Sequence, residues 1–206
     1  MGYTNRWDER YSADGYVFGT EPNGFLADTV PRLRVGRALC IADGEGRNSV
    51  FLAERGFTVT AMDASAIGMR KATTLAMTRN VGLTTHVADL ESYDFGNARW
   101  DAIVSIFCHL PPELRRRVHA RVAAALLPEG VFVLEAYTPR QLEYGTGGPS
   151  DAQLLMTVED LQSELTGLEL QIARETVRDV VEGRGHTGRA SVVQILAVKP
   201  AEPRGE

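Results

Sequence analysis

Three aspartates and one histidine in this chain fall at the ends of short strand-like runs, where side chains can meet a ligand. Asp63 closes the short run 59–63, and Asp89 follows the run 84–88. Upstream, the run 38–42 ends in Asp43-Gly44-Glu45-Gly46-Arg47-Asn48. Glycines in such a turn let the backbone approach a ligand, and the helix that follows offers free N–H groups at its start. A carboxylate about 20 residues further on, at the end of the next strand, can hold a ribose diol. Asp63 is that carboxylate. His109 follows a fourth strand-like run, 100–107, and precedes Pro111-Pro112. A histidine there can serve as a general base or orient an acceptor. These residues imply a nucleoside-containing cofactor held beside a second ligand.

The turn is not the dinucleotide fingerprint. G-x-G-x-x-G read from Gly44 gives Gly44, Gly46 and then Ser49. The third glycine, which packs helix on strand beside a pyrophosphate, is missing. Asp89 would repel a phosphate and suits the amino group of an adenine edge. Both points count against a nicotinamide-dependent oxidoreductase.

The elements that must position these side chains alternate. Strands at 38–42, 59–63, 84–88, 100–107 and 131–136 are interleaved with helices at 48–55, 66–79 and 113–127. Gly56 is placed as a helix C-terminal glycine, and Ser65 as an N-cap. Thr157 and Asp160 form a capping-box-like start to a helix through residue 165. Two closing strands, 171–181 and 191–198, flank the glycine-rich connection 182–189 and read as an antiparallel pair. The fold class expected is α/β: one Rossmann-like, doubly wound domain with a mostly parallel seven-stranded sheet and a C-terminal antiparallel hairpin.

Length and composition narrow the function. A chain of 206 residues suits one domain with a sizeable core. With 27 acids against 22 bases the net charge is −5, which argues against gripping a nucleic-acid backbone. Cys40 and Cys108 do not make a disulfide framework and fit a reducing, cytoplasmic setting. No apolar run approaches the roughly 18 residues of a membrane span. Arg6, Asp8, Glu9, Arg10 and Asp14 interrupt any signal-peptide core. No cluster has metal-ligand spacing, so no metal is expected. The expected partner is a small-molecule acceptor, without nucleic acid or membrane, for a monomer or homodimer.

The sequence resembles class I S-adenosylmethionine-dependent methyltransferases, and within them is similar to the tellurite-resistance group. The residues that carry the resemblance are Gly44-Glu45-Gly46-Arg47-Asn48-Ser49, Asp63, Val87-Ala88-Asp89-Leu90, Pro128-Glu129-Gly130 and the closing strand 189–199. It implies S-adenosylmethionine as cofactor and S-adenosylhomocysteine as product. It also implies that Gly44 and Gly46 line the methionine part, Asp63 holds the ribose, and Asp89-Leu90 meets the adenine. Arg47, Asn48, Ala64, Ile106 and Tyr11 are further cofactor candidates. The family usually has an acid at the position of Cys40 and a glycine at that of Ala42. Asp43, an extra acid in the turn, is the candidate to face the cofactor's ammonium.

Residues 1–25 hold six of the fifteen aromatic residues, Tyr3, Trp7, Tyr11, Tyr16, Phe18 and Phe25, with poor periodicity. They read as an arm packed on the domain or as a lid, since aromatic faces attract a sulfonium cation. Trp7, Phe18, Phe107 and Tyr137 are acceptor-side candidates. The irregular segment 137–156 reads as a mobile cover over the acceptor. Arg184, His186 and Arg189 share the hairpin connection and can reach an acceptor, with His109 and His186 the candidate bases. His86, His119 and the basic run around Arg115 read as solvated surface. The resemblance implies methyl transfer to a thiol or to an oxyanion of tellurium or selenium. The alternative is a cofactor-binding protein without catalysis.

Overall fold

The computed structural model describes residues 3–201, with side chains from Arg6 onward. The N-terminal arm begins as a helix, α1 (Tyr3–Tyr11), where sequence periodicity predicts none. The helix is short and polar, and its inward anchor is Tyr11, so it lacks the apolar stripe that pattern reading requires. Residues 1 and 2 and the Tyr3 side chain, part of the expected arm, lie outside the described residues. After α2 (Gly24–Thr29) come β1 (Arg37–Ile41), α3 (Arg47–Ala53), β2 (Thr58–Asp63), α4 (Ala66–Thr78), β3 (Thr84–Val87) and β4 (Trp100–Ile106). Then follow α5 (Pro112–Ala125), β5 (Leu126–Tyr137), α6 (Val158–Glu164), β6 (Glu169–Glu182) and β7 (His186–Val198).

The seven strands form one sheet in the order β3-β2-β1-β4-β5-β7-β6. The first five are mutually parallel, and β7 runs antiparallel to both β5 and β6. Alternation along the strands divides the core between two faces. Leu39, Ile41, Met62, Ile103, Phe132 and Leu134 pack under α5 and α6 through Val118, Val122 and Leu161. Ala38, Cys40, Val59, Ala102, Val104 and Val133 pack under α2 and α3 through Leu26, Phe51 and Leu52. Burial on both faces explains the apolar runs 38–41 of β1 and 102–104 of β4. No helix among the described residues is long and apolar enough to cross a membrane.

Local signals set the helix starts. Ser65 Oγ accepts from Gly68 N at 3.0 Å to begin α4. Thr157 and Asp160 close a reciprocal capping box on α6; losing such a cap costs about 1 kcal/mol. The closing hairpin differs from expectation. Its strands are longer and its turn is only residues 183–185, so His186 and Arg189 lie in β7 rather than in a loop. β6 is an edge strand with exposed polar side chains, which hides its length from an apolar-run criterion. His119 and Arg115 are also corrected: both are buried, 3% and 4% exposed, because Glu164 of α6 faces them.

Two strands end on residues in the left-handed region. Ala42, after β1, has φ +49°, and Phe107, after β4, has φ +52°. A side chain there costs roughly 1–2 kcal/mol. Ala42→Gly relieves that cost with no loss of a packed side chain larger than a methyl. The expected gain is about 1 kcal/mol, a rise in unfolding midpoint of about 2–4 °C by calorimetry. An unchanged or lower midpoint contradicts it.

Candidate active site

The carboxyl ends of the parallel strands share one edge, and the strand order reverses between β1 and β4, the place where such sheets hold ligands. Asp43 and the glycine turn lie at the end of β1, Asp63 at the end of β2, Asp89 beyond β3, and Phe107, Cys108 and His109 beyond β4. The turn is held by its neighbours. Asp43 N donates to Met62 O at 3.1 Å. Asp63 accepts from Gly44 N at 2.9 Å and Ser65 N at 2.8 Å. A Cβ on Gly46 would sit 2.6 Å from Ala72 of α4, and one on Gly44 would sit 2.5 Å from the Tyr11 hydroxyl. Both glycines are therefore needed for packing as well as for their positive φ.

Asp43, Glu45 and Asp63 are all buried around this turn. Burial pushes the Asp43 carboxyl up to about 7, against a 2.5 Å hydrogen bond from Ser49 Oγ and helped by the charge of Asp63. Burial also raises Asp63, although two backbone N–H groups hold it. Tyr11 is raised by burial and by the charges of Asp63 and Glu45. Lys71 pairs with Glu45 at 2.9 Å. The turn thus holds more buried negative charge than its cations offset, a donor set that fits an ammonium and a diol. Ala64 follows Asp63 at this edge and is half-buried. Asp89 is exposed, with Oδ1 on Glu91 N at 2.8 Å, while Leu90 is buried and its carbonyl accepts from Arg121.

The turn also anchors the N-terminal arm. Glu45 Oε2 accepts from Val17 N at 2.7 Å and Phe18 N at 3.4 Å. Asn48 Oδ1 accepts from Asn23 N at 2.9 Å. Arg47 pairs with Glu182 at 2.5 Å. Asp8 accepts from Ser65 Oγ at 2.5 Å. Arg47 and Asn48, cofactor candidates by resemblance, are thus engaged within the chain. Glu135, Glu182, Arg178 and Asn23, which no motif singled out, complete a buried network. Asn23 Nδ2 donates to Glu135 at 2.7 Å and to Glu182 at 3.0 Å, and Gln194 Nε2 donates to Glu135 at 2.6 Å. Arg178 pairs with both glutamates. The one available signal was Glu135 itself, a charge inside an apolar strand.

Beyond β4 the site changes character. Ile106, buried, pairs with Glu135 across the sheet. Phe107 lies 4.5 Å from His186, 4.6 Å from Tyr137 and 6.5 Å from His109, ring centre to ring centre. Phe18 lies 4.4 Å from His186 and 6.2 Å from Tyr11, which stacks on Trp7 at 5.5 Å. The aromatic candidates therefore form one cluster with both histidines. Burial lowers His109 to about 4, with Arg115 adding to the effect and a hydrogen bond to Leu154 O opposing it. Burial lowers His186 to about 3, with Arg47 and Arg10 adding. Both imidazoles are neutral near pH 7. His109 Nδ1 lies 3.0 Å from the Leu154 carbonyl, which can only accept. Nδ1 therefore carries the proton and Nε2 the lone pair. His109 Nε2 and His186 Nδ1 are buried without partners among the described residues. Arg184 and Arg189 are exposed, and Arg184 donates to Asp14 O at 2.8 Å.

Residues 38–130 match the family described as methyltransferase domain. That segment runs from β1 into β5 and carries the glycine turn, Asp63, Asp89 and His109, and the sheet has the α/β Rossmann-like fold of methyltransferases. The chain is 32% identical over 139 residues to the glycine/sarcosine N-methyltransferase of Halorhodospira halochloris, covering 65% of this chain and 51% of that one. It thus spans about half the length of the curated relative it matches. At the level of fold it is similar to the protein solved in work on conversion of a disulfide bond into a thioacetal group during echinomycin biosynthesis. That likeness has a TM-score of 0.80 at 17% identity and covers 98% of this chain and 93% of the other. It is also similar to magnesium protoporphyrin IX methyltransferase from Synechocystis PCC 6803, solved with bound SAH. There the TM-score is 0.66 at 18% identity, over 95% and 93% of the two chains.

The raised Asp43 carboxyl has consequences of definite sign. Its folded value lies above its unfolded one, so the folded state holds the extra proton and stability falls as pH rises from about 4 to about 7. If Asp43 receives an ammonium, only the carboxylate form binds. S-adenosylhomocysteine should then bind several-fold more tightly at about pH 7.5 than at about pH 6. Asp43→Asn should bind more weakly and lose that pH dependence in titration calorimetry. Equal affinity of the two proteins at both pH values contradicts the assignment.

Proposed function

We propose that the protein is a small-molecule methyltransferase whose acceptor carries a soft, neutral nucleophile, a thiol in the first instance. The observation that carries this reading is His109 Nε2, without a partner among the described residues, bare of a proton and set among aromatic rings beyond the end of β4. S-adenosylmethionine supplies a methyl group on a sulfonium carbon with a neutral thioether as leaving group. Asp43 would face its ammonium and Asp63 its ribose hydroxyls. Gly44 and Gly46 would lie along the methionine part, and Ala64, Asp89, Leu90 and Ile106 around the adenosine. Tyr11 and Trp7 would cover the site from the arm, with residues 137–156 closing the acceptor side. Phe18, Phe107 and Tyr137 would wall the acceptor and exclude water, and Arg184 and Arg189 would stand at the rim.

His109 Nε2 takes the acceptor's proton as the acceptor's lone pair forms the new bond to the methyl carbon. Holding nucleophile and methyl in line supplies most of what the reaction needs. A tellurium or selenium oxyanion, the acceptor implied by the narrower resemblance, fits less well. Arg47, buried, and Arg178, half-buried, near His186 are already paired, Arg47 with Glu182 and Arg178 with Glu135 and Glu182. An amine acceptor is the other comparison worth making, because the curated relative is named for glycine and sarcosine.

The test is methyl transfer by the full chain to small thiols, glycine, sarcosine, tellurite and selenite, with S-adenosylhomocysteine as the readout. Thiols should be the preferred acceptors. His109→Phe, which keeps a ring against Tyr137, should lower kcat about 10²–10⁴-fold with S-adenosylhomocysteine binding unchanged. Preferential turnover of tellurite refutes the neutral-acceptor reading. Tight cofactor binding with no turnover of any acceptor favours the non-catalytic alternative.

A further inference from the structure

The base assigned to His109 is only as good as whatever fixes its tautomer. That is the carbonyl of Leu154, and the backbone next to it is held by a side chain of α5. Arg115 and His119 stand one turn apart on α5, both buried, facing Glu164 at the end of α6. Arg115 Nε lies 3.1 and 3.0 Å from the two Glu164 oxygens, and Nη2 lies 2.7 Å from Oε1. His119 Nδ1 lies 2.8 Å from Oε2. Burial by itself would raise the Glu164 carboxyl; the hydrogen bonds from His119 and Arg115 outweigh it and bring it to about 2. Glu164 is therefore an anion throughout the range in which proteins are studied.

One nitrogen of Arg115 is left over, and Nη1 reaches the Leu155 carbonyl at 3.4 Å. Three consecutive residues then form a strap. Leu154 O meets His109 Nδ1 at 3.0 Å, Leu155 O meets Arg115, and Met156 N donates to Tyr137 O at 3.0 Å. The His109 and Tyr137 rings lie nearly parallel, 8° apart in plane and 5.6 Å between centres. A guanidinium is the one side-chain cation with enough donors in a fixed fork to hold a carboxylate on one side and a carbonyl on the other.

We infer that Arg115 is a positioning residue for His109: by gripping Glu164 and the Leu155 carbonyl together it fixes the strap whose Leu154 carbonyl keeps the proton on His109 Nδ1. Nε2 is left as the proton acceptor. The use made of Nε2 rests on the proposed function, but the tautomer is a property of the protein alone. The two can therefore fail separately. A structural role for the triad, holding α5 to α6, makes a different prediction. It would make any variant that loosens the triad equivalent, including one at His119, which does not touch the strap.

The experiment is long-range proton–nitrogen correlation of the histidine rings in the labelled full chain at about pH 7.5, with the His109 signals identified by their loss in His109→Phe. The wild type should show a protonated Nδ1 and an unprotonated Nε2 at His109. Arg115→Lys keeps a cation for Glu164, but one ammonium lacks the spread by which the guanidinium meets Glu164 through Nε and Nη2 and Leu155 O through Nη1. Its His109 signals should shift to a mixture of tautomers, and kcat toward the best acceptor should fall on the order of tenfold, with KM little changed. Arg115→Met should shift the tautomer further; if it does not fold, Arg115→Lys decides. His119→Phe should leave the His109 signals as in the wild type. The inference is overturned if folded Arg115→Lys retains the single wild-type tautomer, or if His119→Phe shifts it as much as Arg115→Lys does. A shifted tautomer in a protein that methylates nothing upholds the positioning role and removes the proposed function.

Discussion

Four carboxylates, Asp43, Glu45, Asp63 and Glu135, are buried along the carboxyl edge of one sheet, and satisfying them shapes the surrounding chain. An ion taken out of water without partners costs several kcal/mol, more than a short arm gains by local propensity. Each acid therefore recruits donors. Asp63 takes two backbone N–H groups, Glu45 takes those of Val17 and Phe18 together with Lys71, and Glu135 takes Asn23, Gln194 and Arg178. Asn23 also caps α2 by accepting from Leu26 N at 3.0 Å. One side chain thus sets a helix start and bridges to the two glutamates. The arm lies where these charges require it, and its aromatic residues arrive at the histidine cluster as a consequence.

The same constraint explains what could be read from the sequence. β1 was legible because burial on both faces leaves an unbroken apolar run at 38–41, and β2 and β4 because mostly apolar residues flank their few polar ones. α4 and α6 were legible because Ser65 and Thr157 act within four residues of themselves. The Arg115–Glu164 pair was not legible, because its partners stand 49 residues apart and a run of arginines looks the same whether or not one faces a carboxylate. α1 was hidden for a related reason: Asp8 and Tyr11 anchor it through Ser65, Ile67 and Gly44, while Lys71 holds the turn after it at Ala13 and Gly15, and no stripe remains in its sequence. His109 and His186 could be picked out singly, whereas their meeting across Phe107 depends on β7 extending back to residue 186.

Strain is placed at the same edge. Ala42 and Phe107 follow β1 and β4, neighbours in the sheet that flank the point where strand order reverses. A left-handed residue turns the chain sharply off a strand, and a bulky one persists there only when its surroundings over-determine it. Phe107 N donates to Glu135 O at 2.7 Å, and its ring has Tyr137 and His186 against it. The backbone anchor and the aromatic cluster therefore hold the same residue.

The edge is electrically divided. The ends of β1 and β2 present under-compensated carboxylates, while the ends of β4, β5 and β7 present rings and neutral imidazoles. A cation is drawn to the first half, and a neutral group is at home in the second. A base whose conjugate acid lies near 4, as His109 does, is a weak one and cannot deprotonate an alcohol to any useful extent. It can assist an acceptor that gives up its proton readily, and a thiol, near 8.5 when unperturbed, does so far more easily than an aliphatic hydroxyl. On the proposed reading, burial of His109 and the apolar walls around it favour the same acceptor, a soft nucleophile whose proton needs a place to go but little force to remove.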